Sequence, residues 1–206
     1  MKLWQRIVLG LGAAAMLAGC GVPSINPLVG KGDAVQDDRI VGEWDFVPEP
    51  GGGSDKFVLG VEKSGAEYKA VLTKNPGEPG KKDEKNTWRT VATLTRIGGE
   101  LYADLERDSA DEAAPCTLDV HVPARLSVSG DVLGIAWIQD KGLRAILGKD
   151  PKAIAHVNRE NASVFTADSL ITASTADLRS FLEKHAKDPD LIGDESHWKR
   201  RASAKP

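Results

Sequence analysis

The sequence predicts a mainly-β domain built as an antiparallel meander. Successive runs alternate apolar and polar residues with the two-residue period of a half-buried strand. Short polar and glycine turns separate several of these runs, at Ser64-Gly65, Gly98-Gly99 and Ser129-Gly130-Asp131. About seven such runs precede residue 139, and a meander of this length forms an antiparallel barrel or a sandwich.

The strands are predicted in chain order. The first, 39–47, alternates Ile40, Gly42, Trp44 and Phe46 with other residues and ends at the proline- and glycine-rich segment 48–55. Six more are predicted at 56–63, 67–74, 87–97, 100–106, 117–128 and 132–138. Two short strands, 154–158 and 162–167, and a last one at 196–201 are expected nearer the C-terminus.

The pattern after residue 139 favours helical elements. Asp140 is expected to cap a short helix that ends at Gly148, and Asp150-Pro151 to open a further helical turn. The longest helix is predicted at 175–187, with Ser174 as its N-cap and Asp177 in a capping-box position. Its apolar residues share one face, which we expect to lie against the outside of the domain or across one end. They are Leu178, Phe181, Leu182 and Ala186.

The N-terminus has the order of a secretory signal peptide. Lys2 and Arg6 precede an apolar run, 7–18, that is too short for a bilayer span of about 20 residues. The run ends in Leu17-Ala18-Gly19-Cys20, which resembles the lipobox of bacterial lipoproteins. The resemblance implies cleavage before Cys20, acylation of that cysteine and attachment to a membrane of the bacterial envelope. Gly21 is not the aspartate of inner-membrane retention signals, so the outer membrane, facing the periplasm, is the expected destination.

Three regions follow from this interpretation. Residues 1–19 form the signal peptide, and 20–38 form the lipidated cysteine with a flexible tether that is rich in glycine and proline and lacks apolar periodicity. Residues 39–206 form the β-barrel domain. Removing the signal lowers Lys+Arg from 27 to 25 against 30 Asp+Glu, a net charge of about −5. That charge excludes nucleic acid as an expected partner.

The motif Gly42-Glu43-Trp44 opens the first strand. It resembles the Gly-X-Trp opening of lipocalins and lipocalin-like barrels. The resemblance implies that Trp44 plugs one end of a closed barrel, that Gly42 permits a close approach, and that a late basic residue lies over the indole. Arg200 is the candidate cation, with Arg201 as its alternative. The strand at 196–201 would then pair with the first strand and close the sheet, since closure removes exposed edges. The alternative is that Trp44 fills a β-core and the basic tail contacts nothing.

No catalytic or metal-binding pattern is found. His121, His156, His185 and His197 are scattered and lack the spacing of paired metal ligands. Cys116, the second cysteine, follows an acidic loop that would raise its thiol pKa, so an idle thiol or an intermolecular disulfide is expected rather than a nucleophile. We therefore expect no enzyme activity, no cofactor and no metal.

Two functions remain open on the sequence. In the first, the barrel binds a small hydrophobic ligand, with the lumen lined by alternating residues of 56–63, 67–74, 87–97 and 132–138 and free of a charged cluster. In the second, large side chains fill the lumen and the protein is a non-enzymatic structural or interaction module with an envelope protein partner. Barrels of about eight strands serve either purpose.

Overall fold

The computed structural model describes residues 21–50, 54–76, 86–108, 119–158 and 168–202. The signal peptide, Cys20, Cys116 and the strand predicted at 162–167 lie outside these residues. The strands are β1 (Gly42–Val47), β2 (Phe57–Ser64), β3 (Glu67–Lys74), β4 (Thr87–Ile97), β5 (Glu100–Arg107), β6 (Val122–Ser129), β7 (Val132–Trp137), β8 (His156–Asn158), β9 (Ser169–Ile171) and β10 (Ser196–Arg200). A 3-10 turn spans Asp38–Ile40, and the helices are α1 (Asp140–Lys149) and α2 (Thr175–His185).

Eight antiparallel strands form a closed barrel in the order β1-β10-β7-β6-β5-β4-β3-β2. Strands β1 to β7 are a meander of neighbours, and β10 closes it, with Trp44 opposite Arg200 and Phe46 opposite Trp198. The predicted fold class and the pairing of the first and last strands are confirmed. A separate two-stranded sheet pairs β8 with β9.

The molecule has two apolar cores that lie on opposite sides of the barrel wall. One fills part of the lumen and includes Trp44, Tyr68 and Trp198. The other lies outside the wall, where Leu178, Phe181 and Leu182 of α2 are buried in one cluster with residues such as Tyr102 and Ile138. Helix α2 therefore lies against the outer face of the barrel, which is one of its two expected positions. Its N-cap is Ser174, whose hydroxyl accepts a hydrogen bond from Asp177 N.

The segment predicted as a flexible tether is packed against the barrel. Val22, Ser24 and Leu28 are fully buried, and Val35 N donates a hydrogen bond to Leu94 O over 2.8 Å. Asn26 Nδ2 also donates to Ala173 O over 2.8 Å. Residues 21–38 are thus part of the folded domain. They are held by isolated β-bridges, which leave no apolar periodicity in the sequence.

Several predicted boundaries differ in the C-terminal half. Gln139 rather than Asp140 occupies the N-cap of α1, without a side-chain hydrogen bond. Gly148 does not end this helix, which continues to Lys149. Asp150-Pro151 starts a turn, in which Asp150 Oδ1 accepts from Lys152 N, rather than a second helix.

Other ends shift by a few residues. The first strand begins at Gly42 because Arg39 and Ile40 belong to the 3-10 turn that precedes it. Strand β6 starts only at Val122, and α2 ends at His185 rather than at 187.

Candidate functional site

The barrel encloses an apolar cavity of about 560 Å³. This volume lies within the range of roughly 300–1,000 Å³ that small-molecule sites occupy. The apolar side chains of its wall come from the 3-10 turn and from strands β2 to β7: Ile40, Phe57, Leu59, Val61, Ala70, Leu72, Ala92, Leu94, Ala103, Leu105, Val122, Leu126, Leu133, Ile135 and Trp137. The lumen is therefore not filled by side chains throughout.

Small residues at inward positions explain part of the open space. Ala92 lies opposite Leu105, and Ala103 lies opposite Leu94 across the β4–β5 pair. Ala70 lies on the inward face of β3, and all three alanines line the cavity. Because these methyl groups fill little of the lumen, larger residues at the same positions would occupy the cavity.

The predicted lining is confirmed for four strands and was incomplete. Strands β2, β3, β4 and β7 contribute the inward residues that their alternation predicts. Strands β5 and β6 contribute as well, through Ala103, Leu105 and Leu126. The alternation of Leu101, Ala103 and Leu105 carried the same signal, so these residues could have been included.

Trp44 and Arg200 close one end of the barrel. The indole of Trp44 is fully buried and donates from Nε1 to Ile40 O over 2.9 Å. The Cζ atom of Arg200 lies 4.0 Å from the centroid of that ring, within cation–π range. Arg200 also donates to Val41 O at 2.7 Å and to Arg39 O at 2.6 Å. The structure thus places Arg200 over the indole as the resemblance implied, whereas Arg201 donates to Asp45.

Gly42 permits this contact. Its φ angle is 134°, in a region that favours glycine, and a Cβ atom there would lie 2.7 Å from Arg200 Nη1. Gly42, Trp44 and Arg200 are therefore brought together at the end of the barrel where β1 begins and β10 ends.

A polar cluster fixes the turn beneath the closed end. Asp37 N donates to the buried Tyr68 hydroxyl over 2.9 Å, and the Asp37 carboxylate accepts from Arg39 Nε over 2.8 Å and from Arg39 N over 3.2 Å. The hydrogen bond from Arg39 outweighs the effect of burial and lowers the pKa of Asp37. Arg96 of β4 lies 3.7 Å from the same carboxylate, so the ionised Asp37 links the 3-10 turn to the barrel.

Among the described residues the other end of the cavity is open, and its border is polar and charged, whereas the sequence predicts a lumen free of a charged cluster. Its border includes Thr87, Trp88, Arg89, Glu106, Arg107 and Asp119. The side chain of Trp88 is 41% exposed there. At the same end, Trp137 Nε1 is buried and has no hydrogen-bond partner among the described residues. The cavity thus combines apolar walls with a polar mouth, which we call the rim.

The histidines do not form a site with one another. His121 Nδ1 lies 3.1 Å from Asp104 Oδ2, and the same oxygen accepts from Leu28 N over 2.8 Å. Burial raises the pKa of Asp104 despite the attraction of His121. This pair lies outside the lumen and fastens the N-terminal segment to the wall. Within the five described ranges, no group of three or more His, Cys, Asp or Glu side chains could hold a metal ion.

Comparison of the chain with protein-family models, with curated proteins and with solved structures finds no significant match. None of the helices in the described residues has both the length and the apolar character needed to cross a membrane. The geometry of the cavity is therefore the basis for assigning a function.

Proposed function

We propose that this protein is a lipid-anchored protein of the bacterial envelope whose barrel binds a small hydrophobic molecule. The observation that carries the proposal is the apolar cavity of about 560 Å³, with Trp44 at one end and, among the described residues, an opening at the other. An apolar ligand inside it would gain roughly 25 cal/mol for each Å² of apolar surface removed from water.

The rim suggests how such a ligand is oriented. Its apolar part would lie among residues such as Leu59, Leu94 and Ile135. A polar group would remain at the mouth, within reach of charged side chains such as Arg107 and of water. An amphipathic molecule with one polar end fits this arrangement better than a molecule that is polar along its length.

The anchor is proposed on the sequence Leu17-Ala18-Gly19-Cys20. Cleavage before Cys20 and its acylation would attach the mature chain to a membrane, with the outer membrane and its periplasmic face as the proposed location. Several acyl chains would make this attachment stable, because one chain alone gives only marginal binding.

Ligand binding is tested on the Cys20→Ser chain, which lacks the proposed lipid. We expect an environment-sensitive fatty-acid probe to bind it in saturable fashion. Ala92→Phe should lower the affinity at least tenfold, because the new ring occupies the cavity. Val91→Phe is the matched control, since Val91 precedes Ala92 on β4 and does not line the cavity. If the wild-type pocket binds no probe and native mass spectrometry shows no bound lipid, the proposal fails and the alternative of an interaction module is favoured.

The anchor is tested separately. Wild-type protein should fractionate with membranes after washing in high salt and carbonate, and Cys20→Ser should not. Membrane retention of Cys20→Ser under these conditions would refute acylation at this position.

A further inference from the structure

The start of the described chain is built into the barrel wall at the rim. Val22 N donates to Ile138 O over 3.0 Å, directly after β7. Ser24 and His121, directly before β6, exchange two backbone hydrogen bonds of 2.8 and 2.9 Å. The segment 21–24 therefore runs between the end of β7 and the start of β6, both of which lie at the open end of the barrel.

Gly21 is directed toward the residues of the cavity mouth. A Cβ atom on Gly21 would lie 2.6 Å from Val122 Cγ1 and 3.1 Å from Trp137 Cε3, and both side chains line the cavity. The next residue, Val22, is buried in the apolar cluster outside the wall. Since successive side chains of an extended segment point to opposite faces, Gly21 belongs to the inner side of the rim.

No spacer separates this point from the proposed anchor. Adjacent Cα atoms are about 3.8 Å apart across a trans peptide bond, so Cys20 lies within that distance of Gly21 whatever its conformation. Acyl chains on Cys20 would hold the residue at the surface of the bilayer. We infer that the barrel stands with its open end against the membrane, and that its ligand is an amphipathic lipid exchanged directly with that membrane. This inference rests on the proposed function, in particular on acylation of Cys20.

Two residues of the rim, Trp88 and Arg107, suit a surface that faces a membrane. Trp88, the second residue of β4, is 41% exposed, and tryptophan is favoured where apolar and polar phases meet. Arg107, the last residue of β5, is exposed and shares the inward face of Leu105. Its guanidinium suits the phosphate of a lipid headgroup, which it binds through paired hydrogen bonds.

The orientation is tested with labels at the two ends of β5. Arg107 lies at the rim and Glu100 at the closed end, and both are exposed. Seven residues of strand separate them by about 24 Å. Arg107→Cys and Glu100→Cys are made separately in the full chain carrying Cys116→Ser, labelled with a small fluorophore, and reconstituted in vesicles of phosphatidylethanolamine and phosphatidylglycerol. A fraction of the lipids carries a nitroxide quencher near the headgroup.

We expect the label at 107 to be quenched at least threefold more than the label at 100. Equal quenching, or stronger quenching at 100, would overturn the orientation. A flexible Gly-Ser insert of 20 residues between Cys20 and Gly21 gives a tether with a mean span of about 25 Å. This insert should abolish the difference, and a difference that persists unchanged would refute the short anchor as its cause.

Intact-mass measurement separates this inference from the proposed function. If the chain carries no added acyl mass, the proposed anchor at Cys20 is refuted, and the proposed orientation is refuted with it. An acylated chain with equal quenching at both positions refutes the orientation alone, while probe binding by the Cys20→Ser chain reports on the cavity independently of either result.

Discussion

Arg200 should contribute more to stability than its neighbour Arg201, although both are basic and partly exposed. Arg200 lies 4.0 Å above the Trp44 ring, and it donates two hydrogen bonds to the carbonyls of Val41 and Arg39. A cation–π contact contributes about 0.5–2 kcal/mol, and a hydrogen bond from a charged donor contributes about 1.5–3 kcal/mol. The Arg200 side chain is 31% exposed, and water can replace part of these hydrogen bonds. We therefore expect Arg200→Ala to lower the free energy of unfolding by about 2–4 kcal/mol.

Arg201→Ala is the matched control. Arg201 forms ion pairs with Asp45 and Glu43 at the surface, and such pairs contribute about 0–1 kcal/mol. Urea denaturation of the Cys20→Ser chain, followed by tryptophan fluorescence and by far-UV circular dichroism, gives both free energies of unfolding. The reasoning fails if Arg200→Ala costs less than 1 kcal/mol, or if Arg201→Ala costs as much.

A double-mutant cycle with Gly42 tests the same contact from the other side. Gly42→Ala places a Cβ 2.7 Å from Arg200 Nη1 and adds strain because φ is 134°. In the Arg200→Ala background the steric part of this cost disappears and the backbone strain remains. The two changes should therefore be less than additive, whereas simple additivity would show that Gly42 and Arg200 do not act on one another.

Three further predictions concern polar contacts outside the lumen. Asp37→Ala should cost about 0.5–2 kcal/mol of unfolding free energy at neutral pH. Since Arg39 lowers the pKa of Asp37, this contribution is fully present above pH 3.8 and should shrink as the pH falls through the folded-state pKa. Urea titrations at a series of pH values measure this loss. Asp104→Ala should cost about 1–3 kcal/mol and raise hydrogen exchange at Leu28 N, which loses its acceptor; unchanged exchange there would contradict this. Ser174→Ala should cost about 0.5–2 kcal/mol through loss of the α2 cap, and an unchanged melting temperature would count against that cap.

The sequence predicted the barrel well because its signals are local. The predicted limits 67–74 and 87–97 are those of β3 and β4, where alternation is regular and glycine turns or polar loops mark the ends. Ser174 was found for the same reason, since a capping residue and the first helical turn are adjacent in sequence. The pairing of β1 with β10 required a non-local argument, which came from the need to remove sheet edges.

The features that the sequence did not predict depend on contacts between residues that are distant in the chain. The N-terminal segment was interpreted as a tether because its apolar residues, such as Val22 and Leu28, have no periodicity. Backbone hydrogen bonds at isolated bridges hold the segment in place, and these side chains are buried in the apolar cluster between α2 and the barrel wall. The size of the lumen was likewise undetermined, since it depends on how inward residues from six strands meet around the barrel rather than on the composition of any one strand.

The two glycines of α1 give a last prediction, in which helix propensity and packing oppose each other. Both are helical, so replacing either glycine by alanine should by itself stabilise the fold by about 0.4–1 kcal/mol, because alanine lowers the conformational entropy of the unfolded chain. A Cβ on Gly148 would meet nothing within 4 Å, and a Cβ on Gly142 would overlap the carbonyl of Asp190. Backbone cannot move aside as a flexible side chain can, and overpacking costs typically about 1–3 kcal/mol. Gly148→Ala should therefore raise the free energy of unfolding and Gly142→Ala should lower it. Stabilisation by Gly142→Ala would show that α1 does not pack against residues 190–191 as described, and destabilisation by Gly148→Ala would show that the helix ends before residue 148, as its glycine first suggested.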